Sequence, residues 1–491
     1  MGNIMAIDQG TSSSRAIVFD LEGRILGVGQ EPFDMIFPAD GWVEQDPEVL
    51  WRTTLSAGRA ALAAAGMGAA EVTAIGITNQ RETTLVWDRR TGECVHNAIV
   101  WQDRRTAERC NAMLRDGLDS LVARETGLVI DPYFSSTKLA WLLEQIPGVR
   151  ERAERGELCF GTVDSFLIWR LTRGAVHATD ATNASRTQLF DIGRQCWSPE
   201  LLGYLSIPET LLPDVRDSAG DYGVADAEWF GAAIPVLGVA GDQHAALIGQ
   251  ACFAPGMSKS TYGTGCFAVT NTGTRLLESR HRLLSTVAYR LDGVTTYALE
   301  GSIFSAGVAI KWLRDRLGLI SDAAETEAAA RRTGGDTGEV YMVPAFTGLG
   351  APHWKPDARG TLTGLTLDSS RDQLITATLC SVAYQTEELL MAMAADGAPV
   401  EQLRVDGGMV VNDWLCQFIA DILRCPVQRP SITETSALGA ASLAALGAGL
   451  VGNLEQASRL WHLEREFLPA MDESKRQKLL SGWQRAVART L

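Results

Sequence analysis

A polar turn that contains glycine lies between two short apolar runs at the start of this sequence. The first run, residues 4–7, ends at Asp8, and the second, residues 16–19, follows Arg15, with Gly10 and a series of Thr and Ser residues between them. This pattern predicts a β-hairpin in which Gly10 allows a tight turn and the neighbouring N–H and hydroxyl groups can bind an anion such as phosphate. Polar turns between strands are common, so the segment alone is equally compatible with an ordinary hairpin.

Two further turns of the same kind favour phosphate binding. Residues 259–270 read KSTYGTGCFAVT, and residues 403–412 read LRVDGGMVVN. Two such turns can bind one polyphosphate between two lobes, and paired glycines let a base or ribose approach the backbone closely. The sequence contains neither the GxxxxGK[ST] motif of P-loop NTPases nor a GxGxxG motif that opens a helix after a strand. It therefore favours neither of those nucleotide-binding folds.

Composition argues against several other classes of protein. The net charge of −15 and the sequence pI near 5.0 argue against nucleic acid or an anionic membrane as a partner. The nine cysteines show no CxxC spacing and the six histidines show no metal-ligand spacing, so we expect neither a disulfide framework nor a transition-metal site. No basic segment followed by an apolar run opens the sequence, and we expect a cytoplasmic protein. The longest uncharged apolar stretch, residues 437–452, is shorter than the roughly 20 residues of a membrane span and predicts a core helix.

Alternating strand and helix patterns predict two α/β lobes. Asp46 as N-cap and Pro47 as first residue predict a helix that runs to about Ala65. A second hairpin restarts the alternation and indicates a duplicated unit, with a boundary near residues 250–257. The chain beyond about residue 455 is charged and amphipathic and predicts a helix. The expected strands are residues 4–7, 15–19, 25–32, 72–78 and 234–240, with the second hairpin at 258–271.

Polar residues follow two of the predicted buried strands. They are residues 79–82 (NQRE) and 241–243 (GDQ). Polar groups at strand ends face the ligand crevice in open α/β folds. We therefore expect both segments to lie in the functional site.

Longer motifs extend along almost the whole chain, from residue 4 to about 483. They are DQGTSSSR at 8–15, GWVEQDP at 41–47, GITNQRETT at 76–84, IVWQDRRTAE at 99–108, TGLVIDPYFS at 126–135, TNASRT at 182–187, AGDQHAALIGQ at 240–250, TYGTGCF at 261–267 and VPAFTGLGAP at 343–352. This set resembles the FGGY carbohydrate kinases, a family within the actin, Hsp70 and hexokinase superfamily. The resemblance implies an α/β fold of two actin-like, ribonuclease H-like lobes, with duplicated βββαβα units around a central nucleotide cleft. It divides the chain into residues 1–252, for acceptor and phosphates, and residues 253–491, for the adenine nucleotide.

The resemblance implies ATP-dependent phosphorylation of glycerol to sn-glycerol 3-phosphate with release of ADP, in glycerol catabolism. Residues 79–82 distinguish the members that phosphorylate glycerol from those that act on pentuloses. ATP and Mg²⁺ are the implied cofactors, and a homo-oligomer, either a dimer or a tetramer, is the implied assembly.

Two alternatives remain open at this point. One is an FGGY kinase for another polyol or a pentulose. The other is a nucleotide-dependent assembly protein of the same superfamily that hydrolyses ATP without a small-molecule acceptor. Residues 79–82 discriminate between them, because an assembly protein has no need for a polyol-binding segment beside the base.

The resemblance also assigns roles around the acceptor. Asp242 is the implied general base for the attacking hydroxyl. The implied acceptor contacts are Arg81, Glu82, Tyr133, Asp242 and Gln243 as hydrogen-bonding groups, with Trp101 and Phe267 as an apolar wall. Each has an alternative explanation: Asp242 as a helix N-cap, the two aromatic side chains as core residues, and Arg81 with Glu82 as a surface ion pair.

The implied nucleotide contacts lie in and near the three glycine-containing turns. They are Thr11, Ser12, Ser13 and Arg15 in the first turn, Thr264, Gly307 and Lys311 near the second, and Gly408 and Asn412 in the third. Asp8, together with Asp242, is implied to bind Mg²⁺, which neutralises charge on the γ-phosphate.

Some segments depart from the family pattern. Lys311 stands where related sequences often have Gln, and residues 411–413 read Val-Asn-Asp in place of a common Ala-Asn-Asn run, so the contacts to the base stay open. Residues 228–235 are shorter than the Gly-rich, Arg-containing loop of members that fructose 1,6-bisphosphate inhibits. We therefore expect that this compound inhibits weakly or not at all.

Overall fold

Strands and helices alternate along the chain and build two lobes. The computed structural model describes residues 2–355 and 357–491. The strands of the first half are β1 (Asn3–Gln9), β2 (Ser13–Phe19), β3 (Ile25–Pro32), β4 (Glu44–Gln45), β5 (Val72–Asn79), β6 (Leu85–Asp88), β7 (Ala98–Ile99), β8 (Leu158–Gly161), β9 (Ala178–Asp180), β10 (Phe190–Asp191), β11 (Cys196–Trp197), β12 (Asp214–Arg216), β13 (Val224–Ala225) and β14 (Ile234–Gly241). Its helices are α1 (Pro47–Ala65), α2 (Ala107–Arg115), α3 (Asp119–Thr126), α4 (Ser135–Gln145), α5 (Val149–Glu154), α6 (Val163–Leu171), α7 (Ala181–Ala184), α8 (Pro199–Leu205), α9 (Ala227–Phe230) and α10 (Asp242–Gly249).

The second half continues the alternation. Its strands are β15 (Met257–Tyr262), β16 (Cys266–Gly273), β17 (Leu284–Leu291), β18 (Val294–Ile303), β19 (Tyr341–Val343), β20 (Thr361–Thr363), β21 (Gln402–Asp406), β22 (Val427–Pro430) and β23 (Leu463–Phe467). Its helices are α11 (Gly307–Asp315), α12 (Glu325–Thr333), α13 (Arg371–Ala395), α14 (Asp413–Leu423), α15 (Thr435–Gly447), α16 (Leu454–Ala457) and α17 (Glu473–Thr490).

The first sheet brings the ends of three parallel strands to one edge. Its strand order is β13-β14-β5-β1-β2-β3. Strands β1, β5 and β14 are parallel to one another, and β2 is antiparallel to β1. Gln9 and Gly241 both pair with Asn79. The residues that follow β5 and β14 therefore lie side by side at the carboxyl edge, where open α/β sheets bind ligands.

The second sheet repeats this arrangement. Its order is β17-β18-β16-β15-β21-β22-β23, so antiparallel β18-β16-β15 correspond to β3-β2-β1, and parallel β21 and β22 correspond to β5 and β14. The predicted α/β fold of two lobes built from duplicated units is confirmed. The edge strand β23 was not predicted; the sequence indicated only the helix that follows, α17. Strand β23 reads LEREF, and charged residues of this kind are typical of a protected edge strand but mask its strand pattern.

Local sequence signals place several elements accurately. Helix α1 starts at Pro47 as predicted, with the Asp46 carboxylate accepting the N–H of Glu48 at 2.9 Å. The predicted core helix at residues 437–452 is α15, which ends earlier, at residue 447, because the chain turns at Gly449 with φ +67°. The short segment at residues 228–235 consists of the end of α9, a turn and the start of β14.

Helices α10 and α15 cross in direct backbone contact. A Cβ on Gly439 of α15 would lie 1.8 Å from the carbonyl oxygen of Ala245, and a Cβ on Gly249 of α10 would lie 1.9 Å from that of Thr435. The Ala and Leu side chains of α15 pack against β1, β2 and β5 of the first sheet. The division at residues 252–253 stays a prediction, because a helix from the second half contributes to the core of the first.

We expect Gly439→Ala to destabilise the protein. Its Cβ would overlap the backbone of α10, and overpacking costs on the order of 1–3 kcal/mol, or more where the backbone must move. Urea unfolding followed by circular dichroism measures this change. Gly203→Ala is the matched control, because Gly203 is an exposed glycine of α8 with nothing within 4 Å of its Cβ position. Equal stability of Gly439→Ala and wild type would show that the crossing has room for a methyl group.

Candidate active site

Polar side chains connect the first turn to the segment that follows β5. The Nε2 of Gln80 donates to Oε1 of Gln9 at 3.0 Å and to Oε1 of Gln45 at 2.9 Å. Gln45 in turn donates to the carbonyl oxygen of Thr11 at 2.7 Å. The predicted phosphate turn and residues 79–82 therefore form one hydrogen-bonded unit.

Arg81, Glu82, Arg186 and Glu300 form a buried network of charges beside this unit. Arg81 donates two hydrogen bonds to Glu300, at 2.5 and 3.1 Å. Arg186 donates to Glu300 at 3.1 Å and to Glu82 at 2.7 Å. None of the four side chains is more than 2% exposed, so Arg81 and Glu82 are not a surface ion pair. The Nε of Arg81 also lies 3.1 Å from Oδ1 of Asp242.

Sequence analysis did not identify Arg186 or Glu300. Arg186 lies in the TNASRT motif at residues 182–187, and Glu300 is an isolated acidic residue within β18, VTTYALEGSI. A charge buried in a strand is costly unless it is paired, which is the signal that marks Glu300. Its partner Arg81 is 219 residues away in the sequence, which hides the pairing.

The arginines determine which carboxylates of the network stay ionised. Burial alone would raise the pKa of Glu300, but the charges of Arg186 and Arg81 hold it well below its usual value. Burial raises the pKa of Glu82, against the opposing pull of the same two arginines. Burial also raises the pKa of Tyr133, so its phenol stays neutral and can donate a hydrogen bond.

Glu82 adopts a backbone conformation that residues with a side chain rarely adopt. Its φ is +59°, and its carbonyl oxygen accepts hydrogen bonds from the hydroxyls of Ser135 and Thr84, both at 3.0 Å. Conformations of this kind cost on the order of 1–3 kcal/mol and cluster at functional sites. Since Arg186 holds its carboxylate, both the backbone and the side chain of Glu82 are fixed.

Asp242 is the accessible carboxylate of this cluster. It is the first residue of α10, and Gly241 before it is the N-cap, so the helix-cap explanation does not apply to Asp242. Its Oδ1 accepts the N–H of Gln243 at 2.6 Å, and its side chain is 33% exposed. The carboxylate of Asp242 is therefore the most exposed of the three, whereas those of Glu82 and Glu300 are almost completely buried.

The side chain of Gln243 is bound by a lysine that sequence analysis did not identify. Lys259, on β15, donates to Oε1 of Gln243, to Oγ1 of Thr261 at 3.0 Å and to the carbonyl oxygen of Phe267 at 3.4 Å. Lys259 is completely buried. Burial lowers the pKa of its ammonium group, and nearby carboxylates oppose that shift.

The predicted aromatic wall draws on both lobes. The indole Nε1 of Trp101 donates to Oγ1 of Thr11 at 3.0 Å, and its ring meets that of Tyr133 edge-on with centroids 5.6 Å apart. Phe267 is half-buried on β16 of the second sheet. Trp101 is thus tied to the first turn rather than packed in a core.

The first turn contains the predicted phosphate contacts Thr11, Ser12 and Ser13. The N–H of Gly10 donates to the carbonyl oxygen of Ser13 at 3.0 Å, which closes the turn. Arg15 forms an ion pair with Glu434 and donates to Oε1 of Gln30 at 3.0 Å. An anion that binds Arg15 therefore competes with a carboxylate from the second half of the chain.

The second turn brings Thr264 and Gly307 together. The carbonyl oxygen of Thr264 accepts the N–H groups of Ala306 and Val308, both at 3.0 Å, and its side chain is exposed. A Cβ on Gly307 would lie 2.5 Å from the carbonyl oxygen of Gly263, so glycine is required at the start of α11. Lys311 is exposed one turn further along the same helix, on the same face as Gly307.

The third turn contains Gly408, which is exposed, and Asn412, which is buried. Asn412 is the N-cap of α14: its Oδ1 accepts the N–H of Leu415 at 2.9 Å, and its Nδ2 donates to Oγ1 of Thr326 at 3.3 Å. The backbone of Gly408 is therefore accessible, while the side-chain amide of Asn412 already forms hydrogen bonds within the protein.

Asp8 and Asp242 are suitable ligands for Mg²⁺. Asp8 is the second-last residue of β1 and Asp242 directly follows β14, the two strands that flank β5. Burial together with the charge of Asp242 raises the pKa of Asp8 to about 7. Mg²⁺ prefers carboxylate oxygens and usually combines one or two of them with phosphate oxygens and water. In the part of the chain that the structure describes, no group of three or more His, Cys, Asp or Glu side chains is arranged to hold a metal ion.

Two family models match the sequence. The N-terminal domain of the FGGY family of carbohydrate kinases matches residues 3–249, and the C-terminal domain of that family matches residues 259–448.

Relatives resemble the chain over nearly its whole length. It is 61% identical over 487 residues to the glycerol kinase of Rhodospirillum centenum, covering 99% of this chain and 98% of the relative. It is 58% identical over 486 residues to glycerol kinase 1 of Pseudomonas aeruginosa, with coverage of 99% and 98%. The crystal structure of Plasmodium falciparum glycerol kinase with ADP matches with a TM-score of 0.95 at 34% identity, covering 100% of this chain and 98% of the other. A xylulose kinase from Lactobacillus acidophilus, at 20% identity and a TM-score of 0.89 over 99% of each chain, shares the fold.

We expect Glu300→Gln to lower the free energy of unfolding by about 3–5 kcal/mol at neutral pH, because it leaves two buried guanidinium groups short of a negative charge. Urea titration measures the change. Because the pKa of Glu300 is lowered by folding, its contribution is complete above the ordinary pKa of Glu and is lost as the pH falls further. The difference between variant and wild type should therefore shrink only in acid.

Glu108→Gln is the matched control for this variant. It removes an exposed carboxylate that lies 2.9 Å from Arg115, and such exposed pairs contribute little. If both variants unfold like wild type, the buried network is not held by charge.

Proposed function

The chain belongs to the FGGY family of carbohydrate kinases, and we propose that it is a glycerol kinase. The reaction transfers the γ-phosphate of ATP to glycerol and yields sn-glycerol 3-phosphate and ADP, in glycerol catabolism. The observation that supports this best is the meeting of Arg81, Glu82 and Asp242 at one sheet edge, in a chain that matches proteins named glycerol kinase from end to end.

Asp242 acts as the general base in this proposal. Its carboxylate takes the proton of a primary hydroxyl of glycerol as that oxygen bonds to the γ-phosphorus. The bond between the γ-phosphorus and its bridging oxygen breaks, and ADP leaves with that electron pair. Asp242 suits the role because it is accessible, whereas Glu82 and Glu300 are held by arginines. Arg81, 3.1 Å from Oδ1, orients the carboxylate.

The remaining acceptor contacts supply hydrogen bonds of both kinds. Arg81 retains N–H groups beyond those that Glu300 binds, the neutral phenol of Tyr133 donates, and the carboxylate of Glu82 accepts. Gln243 adds an amide beside the base. Trp101 and Phe267 line the carbon chain from opposite lobes, which suits a three-carbon triol.

The nucleotide lies between the turns in this proposal. Thr11, Ser12, Ser13 and Arg15 bind its terminal phosphates, with Thr264 and Gly307 facing them from the second lobe; Lys311, Gly408 and Asn412 lie towards the adenosine. The side-chain amide of Asn412 already forms hydrogen bonds with Thr326 and Leu415. Asn412 therefore contributes to this site through its position at the start of α14. Asp8 and Asp242 would hold Mg²⁺, which would neutralise charge on the phosphate oxygens of the nucleotide.

A pentulose kinase and an assembly ATPase are less favoured functions. The buried residues Arg81 and Glu82 form a polar site beside Asp242 that an ATPase without an acceptor would not need.

We also propose a cytoplasmic homo-oligomer, on the basis of the family resemblance. No helix in residues 2–355 and 357–491 is long and apolar enough to cross a membrane.

Asp242→Asn should lower kcat by about 10²- to 10⁴-fold, because an amide cannot accept the proton. Glycerol affinity, measured by calorimetry, should change little, since the amide retains the shape of the carboxylate. A coupled assay for ADP release gives kcat. Asp472→Asn, at the N-cap of α17, is the control and should keep full activity. Turnover of Asp242→Asn near the wild-type rate would assign the base elsewhere.

We expect glycerol to be the preferred acceptor over 1,2-propanediol, 1,3-propanediol, erythritol and D-xylulose. A site that hydrogen-bonds each hydroxyl leaves buried groups unpaired when one is missing, and this rejection reaches about 10⁴- to 10⁵-fold. Glu82→Ala should raise KM and lower kcat for glycerol, by on the order of 10²-fold in kcat/KM, because the acceptor is misplaced. The measurement is kcat/KM for the five acceptors. Preference for D-xylulose, or glycerol turnover unaffected by Glu82→Ala, would favour the pentulose alternative.

A further inference from the structure

The ammonium group of Lys259 is buried and bound by neutral oxygen atoms. Lys259 comes from β15 of the second lobe, and its Nζ contacts three oxygen atoms, those of Gln243, Thr261 and Phe267. Among the described residues no Asp or Glu lies within ion-pair distance of Nζ. Burial of an ammonium group is unfavourable unless all its N–H groups are bound, and three neutral acceptors meet that requirement.

The chemistry of the two groups determines how the amide of Gln243 is turned. An ammonium group has three donors and no acceptor, so it binds the oxygen of an amide and not its NH₂ group. Lys259 therefore faces Oε1 of Gln243 and leaves Nε2 on the other side. Nε2 forms no hydrogen bond with the described residues, and Gln243 is half-buried beside Asp242.

We infer that Lys259 is a positioning residue that fixes Gln243 as a hydrogen-bond donor towards the acceptor. This role rests on the proposed function, in which Gln243 contacts glycerol. With Oε1 held by Lys259, Nε2 donates to a hydroxyl oxygen of the acceptor, while the carboxylate of Asp242 accepts the proton of the attacking hydroxyl. A turned amide would place an oxygen against the acceptor and two donors against each other at Lys259.

Two substitutions at Lys259 separate the hydrogen bond from the charge. Lys259→Met keeps an unbranched side chain, one atom shorter, but has no donor, so the amide is free to turn and kcat/KM for glycerol should fall by on the order of 10²-fold. KM for ATP should stay unchanged. Lys259→Gln retains an N–H donor without the charge and should recover at least about tenfold of the loss. Lys478→Met, at an exposed lysine, is the control and should match wild type.

A double-mutant cycle tests whether Lys259 acts through Gln243. In a Gln243→Ala background, Lys259→Met should have almost no further effect on kcat/KM, because the group that it positions is gone. Losses that multiply would show that Lys259 acts independently and would overturn the inference. Urea unfolding of each variant separates loss of fold from loss of function.

Gln243→Glu provides a test that does not require removal of the lysine. A carboxylate forms an ion pair with Lys259 and has no donor for the acceptor, so the variant should fold at least as stably as wild type. Its kcat/KM for glycerol should nevertheless fall about as far as that of Gln243→Ala. Wild-type kcat/KM in Gln243→Glu would overturn the inference.

Wild-type assays distinguish this inference from the proposed function. If the wild type phosphorylates glycerol and Lys259→Met does so equally well, the inference alone is wrong. If the wild type does not phosphorylate glycerol, the proposed function fails and the inference fails with it.

Discussion

The backbone contact between helices α10 and α15 is the constraint on which the geometry of the site depends. Glycines at 249 and 439 bring the helices so close that a Cβ at either position would overlap a carbonyl oxygen of the other helix. Helix α10 begins at Asp242 and α15 at Thr435, so the crossing sets the distance between these two helix starts. Close packing of this kind has few alternative arrangements, because interiors tolerate little change in volume. The proposed base is therefore placed by the core and not by a flexible loop.

Three consecutive residues at the start of α15 then connect separate parts of the site. Glu434 pairs with Arg15, Thr435 donates to Asp406 at 2.8 Å, and Ser436 donates to the carbonyl oxygen of Asp242 at 3.2 Å. The start of α15 thus contacts the first turn, the end of the strand before the third turn, and the proposed base. A displacement of α15 relative to α10 would disrupt the contact of Ser436 with Asp242. Of these contacts, the ion pair of Arg15 with Glu434 is the one that the proposed phosphate contact of Arg15 would replace.

Local features of the site followed from the sequence, and pairings between distant segments did not. The start of α1, the polar ends of β5 and β14 and the second hairpin result from capping, periodicity and turn residues within a few positions of one another. Glu300 and Lys259 acquire their partners from the other half of the chain, Arg81 and Gln243. Periodicity predicts which face of a strand a residue occupies but not what lies opposite that face. The roles proposed for individual residues remain predictions.

Stability alone does not explain why so many charges are buried beside Asp242. Apolar residues in place of a buried ion network often leave a protein equally stable or more stable, because desolvation of the charges offsets their attraction. Transfer of a phosphoryl group, in contrast, benefits from charges that are already oriented before the reaction and need not reorganise during it. Glu300 fixes Arg81, and Arg186 fixes Glu82 in its strained backbone conformation. The network is therefore better explained as preorganisation of the proposed acceptor site than as a source of stability, and the contact of Lys259 with Gln243 extends the same principle across the two lobes.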